Sequence, residues 1–106
     1  MTGPAAFLGE PEKKTLEMLA EEINKQGGIN DRPVQMIIED DAGDESTTAK
    51  EAAKLIDKDQ VVAIIGPSRS GNTVAIMQTM ADKKVPLVSC ALAEGIVTPV
   101  NEWVFK

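Results

Sequence analysis

Two short runs in this chain, VVAII at Val61–Ile65 and VPLVS at Val85–Ser89, are apolar without any polar alternation. A strand with one wet face alternates, whereas a continuous β-branched run belongs to a strand covered on both faces. Between the two lies SGNTVAIMQTMADKK, in which Val74, Met77 and Ala81 fall on one face of a helix. Buried strand, helix, buried strand describes a right-handed βαβ crossover, and hence a parallel sheet.

The rest of the chain keeps the alternation. Residues 10–26, EPEKKTLEMLAEEINKQ, carry Leu16, Leu19, Ala20 and Ile23 at helical spacing. Pro11 suits the first turn of that helix, and Gly27-Gly28 a left-handed stop. VQMII at Val34–Ile38 reads as another buried strand. A second helix is predicted over residues 45–58, with Ala49, Ala52, Ala53 and Ile56 inward and Asp44 or Ser46 as N-cap. EWVFK closes the chain as a further strand.

The order α-β-α-β-α-β-β predicts an α/β fold of three layers, α-β-α, about a mainly parallel sheet. Such units open on a strand, yet MTGPAAFLG is a loop leading into a helix, so the first strand is expected to be missing. A vacant central position exposes unpaired backbone, which predicts a dimer or a domain-swapped assembly of this chain.

Composition excludes much else. A length of 106 residues allows one small domain, and 42% hydrophobic residues supply it with a core. The net charge of −6 argues against nucleic acid and anionic membrane as partners. No apolar run approaches the length of a membrane span, and the opening residues lack the basic and apolar regions of a signal peptide. With one cysteine and no histidine, zinc and copper sites, an internal disulfide and a His-based triad are all disfavoured. The chain reads as a non-enzyme without metal or cofactor. Cys90 is expected to be a small buried apolar side chain, and Met18, Met36, Met77 and Met80 core filling. Asp40, Asp41 and Asp44 read as solvated loop carboxylates, one of them a helix cap, rather than metal ligands.

Ligand sites of parallel sheets lie at the carboxyl ends of the strands, here within residues 1–9, 39–44, 66–73 and 89–94. In the third of these, Gly66–Thr73 reads G-x-x-x-x-G-N-T, one residue away from the phosphate-binding P-loop G-x-x-x-x-G-K-[ST]. The alternative function is therefore a P-loop-like nucleotide-binding domain with a degenerate loop. Against it, Asn72 stands where the lysine would reach the phosphates, the acidic strand precedes the loop instead of following it, and the nearby aspartates add negative charge. What survives is the geometry: a strand-to-helix loop with Ser70 and Thr73 hydroxyls and free N–H groups suits a small anion such as a carboxylate. Ser70 as a plain helix cap is the competing reading.

Taken in order, TGPAAFLG, INKQGGIND, EDDAGD, VVAIIGPSRSGNT and VPLVS resemble the type I periplasmic solute-binding proteins of ABC importers, in the branch of the branched-chain amino-acid (Leu/Ile/Val) receptors. The likeness is collinear over nearly the whole chain. It implies two α/β lobes with a ligand cleft between them, of which residues 1–106 are part of the N-terminal lobe. It further implies a periplasmic or extracellular receptor that delivers an amino acid or other carboxylate-bearing solute to the permease subunits of an ABC transporter. By the same resemblance Ser70 holds the ligand carboxylate, Gly71, Asn72 and Thr73 complete that turn, the Ala91 backbone helps to hold the ligand's amino and carboxylate groups, and Leu8 packs on its side chain. Two positions depart from the family pattern. Ala93 stands where a threonine hydroxyl commonly grips the ligand. Gly43 and Arg69 occupy positions that some members join by a disulfide.

Overall fold

The computed structural model describes Met1–Lys106. Its elements are α1 (Ala6–Lys25), α2 (Glu45–Asp57), β1 (Ile64–Ile65), α3 (Ser70–Lys83), β2 (Leu87–Val88), a 3-10 turn at Glu94–Ile96 and β3 (Val104–Phe105). The strands form a parallel sheet in the order β1-β2-β3, with Ile64 opposite Leu87 and Leu87 opposite Val104. The parallel sheet expected from the uninterrupted apolar runs is present, though each strand pairs over two residues only.

Register divides the sheet into two unlike faces. On one, Leu87 and Val104 are buried with Ala52 of α2 and with Ile76 and Met80 of α3. On the other, Ile65, Val88 and Phe105 stand in one row, 48, 43 and 52% exposed. Core formation is therefore one-sided: α2 and α3 cover the sheet together, and α1 buries little beyond Ala20.

Several expectations shift. VQMII, expected as a strand, pairs with no other backbone and lies outside the sheet, and a strand exists only through a hydrogen-bonded neighbour. Helix α1 starts at Ala6, so Pro11 lies inside it, and the Pro11 carbonyl accepts the Thr15 hydroxyl at 2.8 Å. Its end is as expected: Gly27 and Gly28 take φ of 101° and 80°, and Gly28 N–H returns to Ile23 O at 3.0 Å. On α3 the inward face is Thr73, Ile76 and Met80, whereas Val74 is 57% exposed. Met18 is 58% exposed rather than core. Cys90 is likewise exposed rather than buried; the partial desolvation it does have, and then the Glu12 carboxylate, push its thiol pKa up.

Candidate ligand site at the carboxyl edge of the sheet

The loops leaving β1 and β2 meet at the first turn of α3. Thr73 donates its hydroxyl to Arg69 O at 3.0 Å. Its oxygen then receives the Ser89 hydroxyl at 2.8 Å, since the Thr73 proton is already committed. Ser89 Oγ in turn accepts the Ala91 N–H at 3.1 Å, and Cys90 N–H reaches Pro67 O at 3.2 Å. The Thr73–Ser89 and Ser89–Ala91 bonds are buried, where a satisfied polar chain is rigid. They hold residues 89–93 against the helix start.

Ser70 completes the arrangement. Its Oγ accepts the Ala93 N–H at 3.2 Å. That occupies a lone pair and leaves the hydroxyl proton to donate. The N–H groups of Ser70 and Gly71, in the first turn of α3, have no intrahelical acceptor, and the helix dipole is positive there. Gly71 is exposed, and a Cβ on it would stand 2.5 Å from Glu45 Oε1. Chemically this edge offers a hydroxyl and backbone donors to one small anion.

The seven residues singled out in the sequence do not all stand alike. Ser70, Gly71, Ala91 and Ala93 gather at this edge. Asn72 and Thr73 are in the same turn but their side chains point inward, 2 and 0% exposed. The Ala91 N–H is committed to Ser89. Leu8, 39% exposed in the opening turns of α1 beside Phe7, joins none of the hydrogen bonds that organise the others.

Asn72 has another task. Its Nδ2 donates to Thr48 Oγ1 at 2.7 Å and to Asp41 Oδ2 at 3.0 Å, and Thr48 also donates to Asp41 at 2.7 Å. The side chain at the P-loop lysine position thus ties α3 to α2 and faces away from the loop's mouth. The acidic loop is equally structural. Asp40 Oδ1 accepts the N–H groups of Ala42 at 3.0 Å and Thr2 at 3.1 Å, and Oδ2 the Thr2 hydroxyl at 2.8 Å. Those bonds, Ala42 first and then Thr2, hold its carboxyl well below the usual carboxylate range. Asp44 caps α2 through the Thr47 N–H at 2.7 Å. Of the three aspartates only Asp44 matches the cap expected from sequence. Asp40 and Asp41 are fastenings, which residue type alone does not reveal. Arg69 Nη1 donates to Gly43 O at 3.1 Å, so a hydrogen bond links the two positions that departed from the disulfide pattern.

All of residues 1–106 match the family described as periplasmic binding protein. The chain is 35% identical over 106 residues to a Leu/Ile/Val-binding protein homolog 7 of Brucella abortus, covering 99% of this chain and 26% of that one. It is 33% identical over 73 residues to an amino acid binding protein of Pseudomonas aeruginosa, covering 69% and 20%. Among solved structures, the branched-chain amino acid transporter substrate binding protein LivJ of Streptococcus pneumoniae, in complex with isoleucine, superposes with a TM-score of 0.93 at 28% identity, over 98% of this chain and 30% of that one. A solute binding protein of an ABC transporter from Rhodopseudomonas palustris BisB5, in complex with 3,4-dihydroxy benzoic acid, gives 0.85 at 26%, over 98% and 28%. The chain therefore spans about a quarter of the length of the curated relatives it matches over its whole extent.

Proposed function

The chain belongs to the periplasmic binding protein family, and on that footing we propose that residues 1–106 form part of the first lobe of a two-lobe solute receptor. The receptor works outside the cytoplasmic membrane, in the periplasm or at the cell surface, and hands its solute to the permease of an ABC importer. No helix here is long and apolar enough to cross a membrane. The solute is a small carboxylate, with an amino acid first in order. Two relatives bound to isoleucine and to a dihydroxybenzoate support that class.

The observation that carries the reading is the Ser70 Oγ to Ala93 N–H bond. It brings the Ser70 hydroxyl and the chain at Ala93 together at the N-terminus of α3, where a carboxylate would accept from the hydroxyl and the free N–H groups. Ser70 and Gly71 hold the carboxylate, the Ala91–Ala93 backbone lies along the ligand, and Leu8 is the apolar contact proposed for its side chain. Asn72 and Thr73 serve by fixing the turn. Lobe one binds first, and hinge closure buries the solute beneath lobe two. No enzymatic step is required.

An amide NMR titration tests this. Isoleucine or 3,4-dihydroxybenzoate should shift the amides of Ser70, Gly71 and Ala91–Ala93 in the millimolar range. Shifts there with Mg-ATP and with neither carboxylate would overturn the receptor reading in favour of the nucleotide one.

A further inference from the structure

The peptide group between Leu92 and Ala93 is held at both ends. Its N–H donates to Ser70 Oγ at 3.2 Å. Its C=O accepts from Lys106 Nζ at 3.0 Å. This peptide is not among the cis bonds of the chain, and in a trans peptide the two groups point in opposite directions. Ser70 and Lys106 therefore grip one rigid plane from opposite sides. Sheet register supplies the second grip: Phe105 of β3 lies opposite Val88 of β2, which brings Lys106 beside a carbonyl 14 residues back along the chain.

The ammonium is itself aimed. Glu94 Oε2 lies 3.4 Å from Lys106 Nζ, while Glu94 Oε1 accepts the Thr98 hydroxyl at 3.1 Å. The Lys106 side chain is 27% exposed and that of Glu94 78%. An ion pair so open to water contributes little by its own attraction, whereas a hydrogen bond from a charged donor is about twice as strong as a neutral one. Arg69, the cation nearest Ser70 in sequence, is turned to the Gly43 carbonyl. Lys106 is thus the one cation bonded to the loop that faces Ser70.

Every bond in this series runs the same way. Lys106 gives a proton to the Leu92 carbonyl, the same peptide gives its N–H to Ser70 Oγ, and the Ser70 hydroxyl is left to give. A carbonyl that accepts from a cation polarises its peptide and strengthens the N–H as a donor. An oxygen that accepts the stronger bond is in turn a stronger donor. The last proton of the series is the one assigned above to the ligand carboxylate. We propose that Lys106 is a positioning residue for that site: through the Leu92–Ala93 peptide it fixes and polarises the Ser70 hydroxyl, so that a cation strengthens the hold on a carboxylate it never touches. The ligand part of this role rests on the receptor reading, whereas the grip on the peptide exists without ligand.

The test compares Lys106→Met, which removes the ammonium and keeps an apolar stem, with Lys106→Arg, which keeps charge and donor. NMR reads the Ala93 amide in the ligand-free chain and then the titration with isoleucine and with 3,4-dihydroxybenzoate. In Lys106→Met the Ala93 amide should move upfield and exchange faster, both carboxylates should bind about three- to tenfold more weakly, and the urea midpoint should move little. Lys106→Arg should restore the amide and the affinity together. Weaker binding with the Ala93 amide unmoved would assign Lys106 to attraction through space and overturn the role. A displaced amide with unchanged affinity, or Lys106→Arg behaving as Lys106→Met, overturns it as well. If the parent chain binds neither carboxylate, the receptor reading falls and the ligand part of the role with it; an Ala93 amide displaced in Lys106→Met alone would still establish the grip on the peptide.

Discussion

Ser70 and Ala93 are 23 residues apart in sequence and joined by one hydrogen bond, Ser70 Oγ accepting the Ala93 N–H at 3.2 Å. The bond makes one surface of two loops, because it links the start of α3 to the chain leaving β2. Ser70→Ala removes the oriented proton without touching the core. A hydrogen bond to a charged acceptor is worth about 1.5–3 kcal/mol, so affinity for isoleucine should fall at least about tenfold while the urea midpoint moves little. NMR titration of the variant reads this. Ala93→Thr should act the other way, tightening amino acids more than 3,4-dihydroxybenzoate.

Asn72→Asp keeps the shape of the side chain and replaces a donor with a second carboxylate next to Asp41. The two charges would be within hydrogen-bond reach, the one at position 72 buried and Asp41 partly so, and the variant should lose about 2–4 kcal/mol at neutral pH. Urea denaturation measures the loss, and an unchanged midpoint would show that the Asp41–Thr48–Asn72 cluster carries no stability.

Met80 and Val74 separate the true inner face of α3 from the apolar residues that merely look inward. Met80 is 0% exposed and Val74 57%. Met80→Ala should cost about 2–5 kcal/mol and Val74→Ala within about 0.5 kcal/mol. Comparable losses by thermal or urea denaturation would mean that the helix is rotated.

Gly27 and Gly28 both have positive φ, but only one is crowded. A Cβ on Gly27 meets nothing within 4 Å, whereas one on Gly28 overlaps the backbone oxygen of Arg32. Gly27→Ala should cost about 1–2 kcal/mol for the left-handed backbone, and Gly28→Ala clearly more. Paired urea curves decide between them.

Asp40 sets a pH dependence. Its folded-state pKa lies below the ordinary value of 3.8 because Ala42 and Thr2 donate to the charged form. Its stabilisation is therefore complete above that ordinary value and is lost as pH falls toward the lower folded-state pKa. The gap in urea midpoint between the parent chain and Asp40→Asn should be full at pH 6 and shrink steadily below about pH 4. A gap that persists at the lowest pH would assign the effect to something other than ionisation.

Sequence alone determined the class of fold. The apolar runs at Val61–Ile65 and Val85–Ser89 mark two neighbouring parallel strands, and the helical segment between them dictates a parallel crossover, although the expected cover on both faces is not met, since Ile65 and Val88 stay 48 and 43% exposed. It also determined Asp44 as a cap and singled out the strand-to-helix loop at Ser70 that we propose as an anion site, since both follow from local backbone geometry. Tertiary structure alone decided which side chains of that loop face outward. Asn72 and Thr73 look like ligand contacts by position, but their partners Asp41, Thr48 and Ser89 come from distant parts of the chain, and hydrophobic periodicity gives no signal for a polar residue that is buried because it is satisfied. The same holds for VQMII. Its composition says strand, but a strand is a relation between two stretches of backbone, and only the three-dimensional arrangement shows that these residues pair with none.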